Sequence, residues 1–126
     1  MRAQGEKILI VDNDEYILKP TQEILEELGY RVACSTSGIA AIAKYKSWKP
    51  DVVLLDRAMP QMDGITCAEK IIEHDSGAKI VIISGYNEED LNGRAHRAKD
   101  LIKGYLVKPF EMEKLIRMLD LVLKSR

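Results

Sequence analysis

Side chains suited to phosphate chemistry recur at the ends of the short apolar runs of this sequence. They are Asp12, Asn13, Asp14, Asp56, Ser84 and Lys108. Mg2+ prefers oxygen ligands from one or two carboxylates, together with phosphate and water. The charge on a phosphoryl group in transfer is stabilised by a metal ion on one side and by a cation or hydroxyl on the other. Together these residue types indicate the transfer of a phosphoryl group to a carboxylate.

Each of these residues also has a purely structural interpretation. An Asp after a strand commonly caps the next helix, and we expect Asp14 to do so. A Ser after a strand is commonly a turn residue, and a Lys-Pro pair is commonly part of a loop. The combination at four of five strand ends favours a functional site. Two alternatives follow: Asp12 is the nucleophile of a phosphate-cleaving enzyme, or it helps to hold a metal ion that serves a reactive group elsewhere.

The elements that must position these side chains alternate regularly. Short apolar runs predict five strands, at residues 8–11, 30–34, 52–55, 80–83 and 105–107. Fully apolar runs are typical of parallel strands that helices cover on both faces. Segments with helical spacing lie between and after the strands, and we expect the one at 88–99 to be short or irregular because it contains Asn92 and Gly93. The alternation predicts an α/β doubly wound fold, in which ligands bind at the carboxyl ends of the strands.

Composition excludes several classes of protein. The chain has 126 residues, 46% of them hydrophobic, and a formal net charge of −1 from 19 basic and 20 acidic residues. This balance gives no electrostatic case for nucleic acid or an anionic membrane as a partner. Cys34 and Cys67 form no CxxC pair, and no apolar run is long enough to span a bilayer. We expect a single domain over residues 1–126, with a core of about 6–124, in the cytoplasm.

Four ordered motifs resemble the receiver domain of response regulators. They are VDND at the first strand end, LLDRAMPQMDG at the third, VIISG at the fourth and GYLVKPF at the fifth. The resemblance covers about residues 6–124. It implies a five-stranded parallel sheet with the flavodoxin-like order 2-1-3-4-5, for which a chemotaxis member of the family is a known example. It also implies a phosphoacceptor domain of two-component signalling rather than an enzyme with a separate substrate.

The resemblance implies a role for each motif residue. Asp56 would accept the phosphoryl group from a histidine kinase or a histidine phosphotransfer protein, and the conformational change would then reach a downstream protein partner. Mg2+ would lie among Asp12, Asn13, Asp56 and the backbone carbonyl of Ala58. The residues that bind the phosphoryl group or report its presence would be Lys108, Ser84 and Tyr105. Loop-shaping residues would be Pro60, Gly64 with a positive φ, and Pro109 after a cis peptide bond.

The sequence departs from the family at two positions of the site. Asn13 stands where the family usually has Asp or Glu, so the metal site would lose one formal negative charge. Gly85 stands where the family usually has Ala after the switch hydroxyl. The cognate kinase, the regulated process and whether the domain belongs to a longer regulator or hybrid kinase are left open by the sequence.

Two alternative functions compete with this interpretation. A haloacid-dehalogenase-type phosphatase would use Asp12 as its nucleophile. It would need Thr or Val in place of Tyr16 and an acidic pair after a further strand, and it would leave Asp56 without a role. The other alternative is a receiver-like interaction module that is not phosphorylated, for which Asn13 is the supporting feature. Uptake of phosphate at Asp56, turnover of phosphate esters at Asp12, or neither would distinguish the three.

Overall fold

The computed structural model describes residues 3–85 and 101–125. Its strands are β1 (Lys7–Val11), β2 (Arg31–Ser35), β3 (Val52–Asp56), β4 (Ile80–Ser84) and β5 (Gly104–Val107). Its helices are α1 (Glu15–Glu27), α2 (Gly38–Trp48), α3 (Gly64–His74) and α4 (Met112–Lys124). Each predicted strand is present, with bounds shifted by at most one residue. The helix predicted at 88–99 lies outside the described residues.

All four strand pairings are parallel, and the sheet order is β2-β1-β3-β4-β5. The predicted order 2-1-3-4-5 is therefore confirmed. Every residue of β3 and β4 is buried, whereas the edge strands β2 and β5 are only partly buried. Parallel strands with helices on both faces must be apolar throughout, which explains why continuous apolar runs marked the central strands so clearly.

The core consists of two apolar layers, one on each face of the sheet. Alternate strand residues point to opposite faces, so Leu54 belongs to one layer and Leu55 to the other. The layer that contains Leu55 also includes Tyr45 of α2 and Ile71 of α3. The layer that contains Leu54 includes the buried apolar residues of α1 and α4. The sheet between these layers is a rigid base for the residues that follow its strands.

Two lysines hold the amino-end edge of the sheet. Lys7, the first residue of β1, donates from Nζ to the Trp48 carbonyl at 2.8 Å, and its Nζ lies 5.4 Å from the centre of the Trp48 ring. Lys79, directly before β4, donates from Nζ to the carbonyls of Leu123 at 3.2 Å and Ser125 at 2.7 Å. Both ammonium groups thus satisfy carbonyls at a helix C-terminus, where a cation also complements the helix dipole.

A side-chain hydrogen bond joins α2 to the end of α3. The Tyr45 hydroxyl donates to Asp75 Oδ2 at 2.7 Å, and the Tyr45 ring meets the His74 ring edge-on with centroids 6.5 Å apart. Burial, followed by the bond to Asp75, raises the pKa of Tyr45.

No helix within the described ranges is long and apolar enough to cross a membrane.

Candidate functional site

The carboxyl ends of neighbouring strands bring the predicted residues to one edge of the sheet. Asp12 directly follows β1, Asp56 ends β3, Ser84 ends β4 and Lys108 directly follows β5. Asp12, Asp56 and Ser84 are only 4%, 5% and 5% exposed. Ligands of open parallel sheets bind at this edge, and burial there strengthens electrostatic interactions.

One ammonium group links the two buried carboxylates. Lys108 Nζ lies 3.2 Å from Asp12 Oδ2 and 3.4 Å from Asp56 Oδ1. The backbone holds this lysine in place, because its N–H donates to the Ser84 carbonyl at 2.8 Å. The Lys108–Pro109 peptide bond is cis, as predicted. Two carboxylates and a shared cation therefore form a compact charged cluster.

Local backbone geometry orients both carboxylates. Asp12 Oδ1 accepts from the Asp14 N–H at 2.9 Å, so its Oδ2 is the oxygen that faces Lys108. Asp14 Oδ1 accepts from the Tyr16 N–H at 2.9 Å, which confirms Asp14 as the N-cap of α1. Asp56 Oδ1 accepts from the Ala58 N–H at 3.4 Å. The motif residues beside each acid thus fix the direction of its side chain.

The environment disfavours a negative charge on Asp56. Burial is the largest cause that raises the pKa of Asp56, and the nearby Asp12 carboxylate raises it further. Lys108 and the Ala58 N–H oppose this rise in pKa without cancelling it. An excess of unbalanced negative charge remains at the cluster, and a further cation at this position would relieve it.

The prediction of a positive φ at Gly64 is wrong. Gly64 is the first residue of α3 and has no positive φ, whereas Gln61, earlier in the same loop, has a φ of 69°. The glycine is needed for space: a Cβ at this position would overlap the Asp56 carbonyl oxygen and lie 2.8 Å from the Cα of Arg57. Its N–H donates to the Arg57 carbonyl at 2.8 Å. The loop therefore returns against the end of β3 and closes next to Asp56.

Two further predicted residues, Tyr105 and Pro60, lie on β5 and in the loop after β3. Tyr105 lies on β5 opposite Ile82 of β4, and it is half-buried against the apolar layer that contains Leu55. Pro60 is exposed in the loop between β3 and α3, and its carbonyl accepts from the Met62 N–H at 2.7 Å. The structure thus places Tyr105 on the strand that leads to Lys108, three residues before it.

The donor groups fit a magnesium ion. Over residues 3–85 and 101–125, no three His, Cys, Asp or Glu side chains come together as a metal site. The candidate ligands are instead two carboxylates, from Asp12 and Asp56, with neutral oxygens of Asn13 and the Ala58 carbonyl. Mg2+ is commonly bound by one or two carboxylates while it keeps several waters. Asn13 and Ala58 are both exposed, whereas Asp12 and Asp56 are buried.

Comparison with known proteins identifies the class. The sequence model of the response regulator receiver domain matches residues 8–120. Chemotaxis protein CheY of Treponema pallidum (strain Nichols) is 40% identical over 121 residues, which are 94% of this chain and 83% of that protein. CheY of Thermotoga maritima (strain ATCC 43589 / DSM 3109 / JCM 10099 / NBRC 100826 / MSB8) is 35% identical and is matched over 95% of this chain and 99% of that protein.

A solved structure agrees with this result. The crystal structure of the CheX–CheY–BeF3–Mg2+ complex from Borrelia burgdorferi contains a chain with 31% identity and a TM-score of 0.84, with 97% of this chain and 92% of that chain covered. The chain belongs to the response regulator receiver domain family, whose members are regulatory domains of two-component signal transduction. It is similar to CheY proteins in particular, and the haloacid-dehalogenase alternative is not the family that the comparisons find.

Proposed function

We propose that this chain is a phosphoacceptor receiver domain that accepts a phosphoryl group on Asp56. The donor would be a histidine kinase or a histidine phosphotransfer protein, and the phosphorylated form would act on a downstream protein partner. We also propose that residues 1–126 form a single domain, which the match over residues 8–120 supports. The observation that carries the proposal is the pair of buried carboxylates bridged by the ammonium group of Lys108.

The contacts of Asp56 suggest which of its oxygens reacts. Lys108 and the Ala58 N–H both contact Oδ1, so Oδ2 is the candidate nucleophile. Attack of Oδ2 on phosphorus forms the new P–O bond, and the P–N bond of a phosphohistidine donor, or the P–O bond of an acyl phosphate, breaks as the leaving group takes the electron pair. Lys108 lies within reach of both acids, and its positive charge would stabilise the oxygens of the transferred group.

The groups that would hold Mg2+ are Asp12, Asn13, Asp56 and the Ala58 carbonyl. When bound, the ion would neutralise charge on the phosphoryl oxygens. Asp12 is suited to this task by its fixed orientation, because its Oδ1 is held by the Asp14 N–H. Structures of related receiver domains have been determined with Mg2+ and beryllofluoride, among them the CheX–CheY complex from Borrelia burgdorferi.

Ser84 and Tyr105 are the proposed switch. Ser84 ends β4 at the site edge, and its carbonyl is bonded to the Lys108 N–H. A phosphoryl group on Asp56 would give the Ser84 hydroxyl a strong acceptor, and movement of Ser84 would change the space available to Tyr105 on the neighbouring strand. The signal would thus pass from β4 to β5.

Phosphorylation is tested with acetyl phosphate or phosphoramidate in the presence of Mg2+. Intact-protein mass spectrometry should show one added phosphoryl group, and peptide mapping should place it on Asp56. Asp56→Asn should remain unlabelled, whereas the exposed Asp120→Asn serves as the control and should be labelled like the parent. Full labelling of Asp56→Asn would show that the acceptor is wrongly assigned, and no labelling of the parent would favour an interaction module that is not phosphorylated.

The switch is tested separately with Ser84→Ala. This variant should still accept the phosphoryl group but should lose the backbone amide shifts that phosphorylation causes around residues 84–108. The measurement is a pair of heteronuclear NMR spectra, before and after phosphorylation, for the parent and the variant. Normal shifts in Ser84→Ala would remove Ser84 from the switch while leaving Asp56 as the acceptor.

A further inference from the structure

An open groove borders the buried cluster on its β1–β2 side. It is lined by Asn13, Asp14, Glu15, Tyr16 and Thr36. All five residues are exposed, and Tyr16 is 91% exposed. The groove is continuous with the site through the backbone, because Asn13 directly follows Asp12 and Thr36 directly follows the end of β2. We call these five residues the rim groove.

The rim groove and the cluster behind it are rich in negative charge. Asp14 and Glu15 add two carboxylates to those of Asp12 and Asp56, and Lys108 bridges only the latter pair. A small phosphodonor is an anion, so each of these carboxylates opposes its approach to Asp56. In the sequence, Asn13 lies between Asp12 of the buried pair and the two rim acids, and its side chain is neutral.

We propose that Asn13 determines which phosphodonors the site accepts, by keeping this position neutral so that small donors with two negative charges, such as acyl phosphates, can reach Asp56. This inference rests on the proposed function of Asp56 as the acceptor. A carboxylate at position 13 would select against such dianions and more weakly against monoanions. Selection by charge needs no contact between residue 13 and the donor.

The size of the effect follows from distance and charge. Neighbouring strands lie about 5 Å apart, so a charge at position 13 is within roughly 10 Å of a phosphoryl group approaching Asp56. Coulomb repulsion at that distance slows a dianion by about threefold at low ionic strength if the intervening medium is water-like, and by about tenfold if the protein lowers the dielectric. A monoanion should be slowed by about the square root of that factor. Salt near 0.15 M should remove most of the difference, because the Debye length is then about 8 Å.

The kinetic test compares two donors of different charge at pH 7. Acetyl phosphate is a dianion at this pH and phosphoramidate is mainly a monoanion. With Mg2+ at a saturating concentration for each protein, Asn13→Asp should slow labelling by acetyl phosphate about three- to tenfold and labelling by phosphoramidate about two- to threefold. Glu15→Gln is the matched control for charge, since it removes a rim carboxylate outside the proposed metal ligands. Glu15→Gln should accelerate labelling by acetyl phosphate more than labelling by phosphoramidate.

A second test measures the local potential without metal. Asp56→Cys, combined with Cys34→Ser, is treated in EDTA with an anionic and a cationic methanethiosulfonate. The thiolate attacks the reagent's sulfenyl sulfur, a disulfide forms, and methanesulfinate leaves. The buried Cys67 should stay unreacted, because burial raises its pKa to about 12. Adding Asn13→Asp should lower the ratio of anionic to cationic modification rates about three- to tenfold, and this ratio is independent of the thiol's own ionisation.

The outcomes separate the inference from the proposed function. If Asn13→Asp slows both donors equally at every salt concentration, or leaves the ratio of thiol modification rates unchanged, position 13 does not act through charge and the inference is wrong. If neither donor labels Asp56 of the parent protein, the proposed function fails, whichever residue stands at position 13. Charge-graded slowing together with the lowered thiol ratio would support both.

Discussion

Neutralising Asp56 should stabilise the metal-free protein at neutral pH. Asp56 and Asp12 are buried together, and the ammonium group of Lys108 lies between them. Asp56→Asn keeps the shape of the side chain, and the amide oxygen can still accept from Lys108 and from the Ala58 N–H. The change therefore removes a buried charge with little change in packing. It also leaves Lys108 as the full partner of Asp12.

The distances within the charged cluster set the size of this stabilisation. Both acids contact the same Nζ, at 3.2 and 3.4 Å, so these two oxygens are at most about 6.6 Å apart. At an effective dielectric near 20, their repulsion is at least about 2.5 kcal/mol and the attraction of Asp56 to Lys108 is about 5 kcal/mol. Burial of the carboxylate costs several kcal/mol more. Since the pKa of Asp56 is raised, the cost of burial and the repulsion from Asp12 together outweigh the attraction to Lys108. We therefore expect Asp56→Asn to raise the free energy of unfolding by about 1–2 kcal/mol.

The gain should depend on pH in a defined window. The ordinary pKa of an Asp is 3.8, and in the folded protein the pKa of Asp56 is higher. The folded state therefore holds its proton to a higher pH than the unfolded state, and ionisation costs stability as the pH rises through the folded pKa. This cost is fully present above the folded pKa and vanishes below 3.8. The difference in stability between Asp56→Asn and the parent should thus be largest near pH 7 and should disappear as the pH falls toward 4.

Thermal unfolding followed by circular dichroism in EDTA is the assay. At pH 7 the midpoint of Asp56→Asn should lie about 4–8 °C above that of the parent. Asp120→Asn is the control, because it removes an exposed carboxylate paired with Lys124 at 3.0 Å and should change the midpoint by about 2 °C or less. If Asp56→Asn melts at or below the parent at pH 7, or keeps its full advantage at pH 4, the electrostatic account of the cluster is refuted.

Three further predictions test other parts of the structure. Asn13→Asp should tighten Mg2+ binding about ten- to thirtyfold by isothermal titration calorimetry, and an unchanged affinity would mean that residue 13 does not face the metal. Gly64→Ala should cost about 2–4 kcal/mol in urea unfolding because its Cβ would overlap the end of β3. Gly85→Ala, whose Cβ would meet nothing within 4 Å among residues 3–85 and 101–125, should cost less than about 1 kcal/mol, and equal losses would contradict the steric argument. Tyr45→Phe should lose about 1 kcal/mol in the same assay through the bond to Asp75, and an unchanged stability would show that this bond contributes nothing net.

The sequence predicted best those features that burial or local geometry determines. Strands β3 and β4 are buried on both faces, so their composition alone marks them within one residue. The cap formed by Asp14 involves a partner only two residues away, so it too can be read from neighbouring residue types. The convergence of Asp12, Asp56 and Lys108 follows from the parallel topology, because the carboxyl ends of the strands share one edge.

Features that depend on the three-dimensional path of the chain were missed or misjudged. Gly64 was expected to supply a positive φ, but its role is to let the loop approach the end of β3, and only the folded path reveals that approach. The bond from Lys7 to the Trp48 carbonyl joins residues 41 apart, and that from Lys79 to the Leu123 carbonyl joins residues 44 apart. Residue type gives no signal for such partners. The exposure of Asn13 beside a buried Asp12 was equally unpredictable from their types.

Trp48 and Tyr16 lie near opposite ends of the strands and can act as separate optical reporters. Trp48 is the only tryptophan of the sequence, and it is held against Lys7 at the start of β1, about 16 Å along the strand from Asp12. Its emission should therefore respond to unfolding of the domain and stay silent when ligands bind at the opposite edge. Tyr16, which is 91% exposed on the rim groove, is placed to sense that edge instead. Excitation at wavelengths that the indole alone absorbs can thus report loss of the fold without responding to occupation of the site.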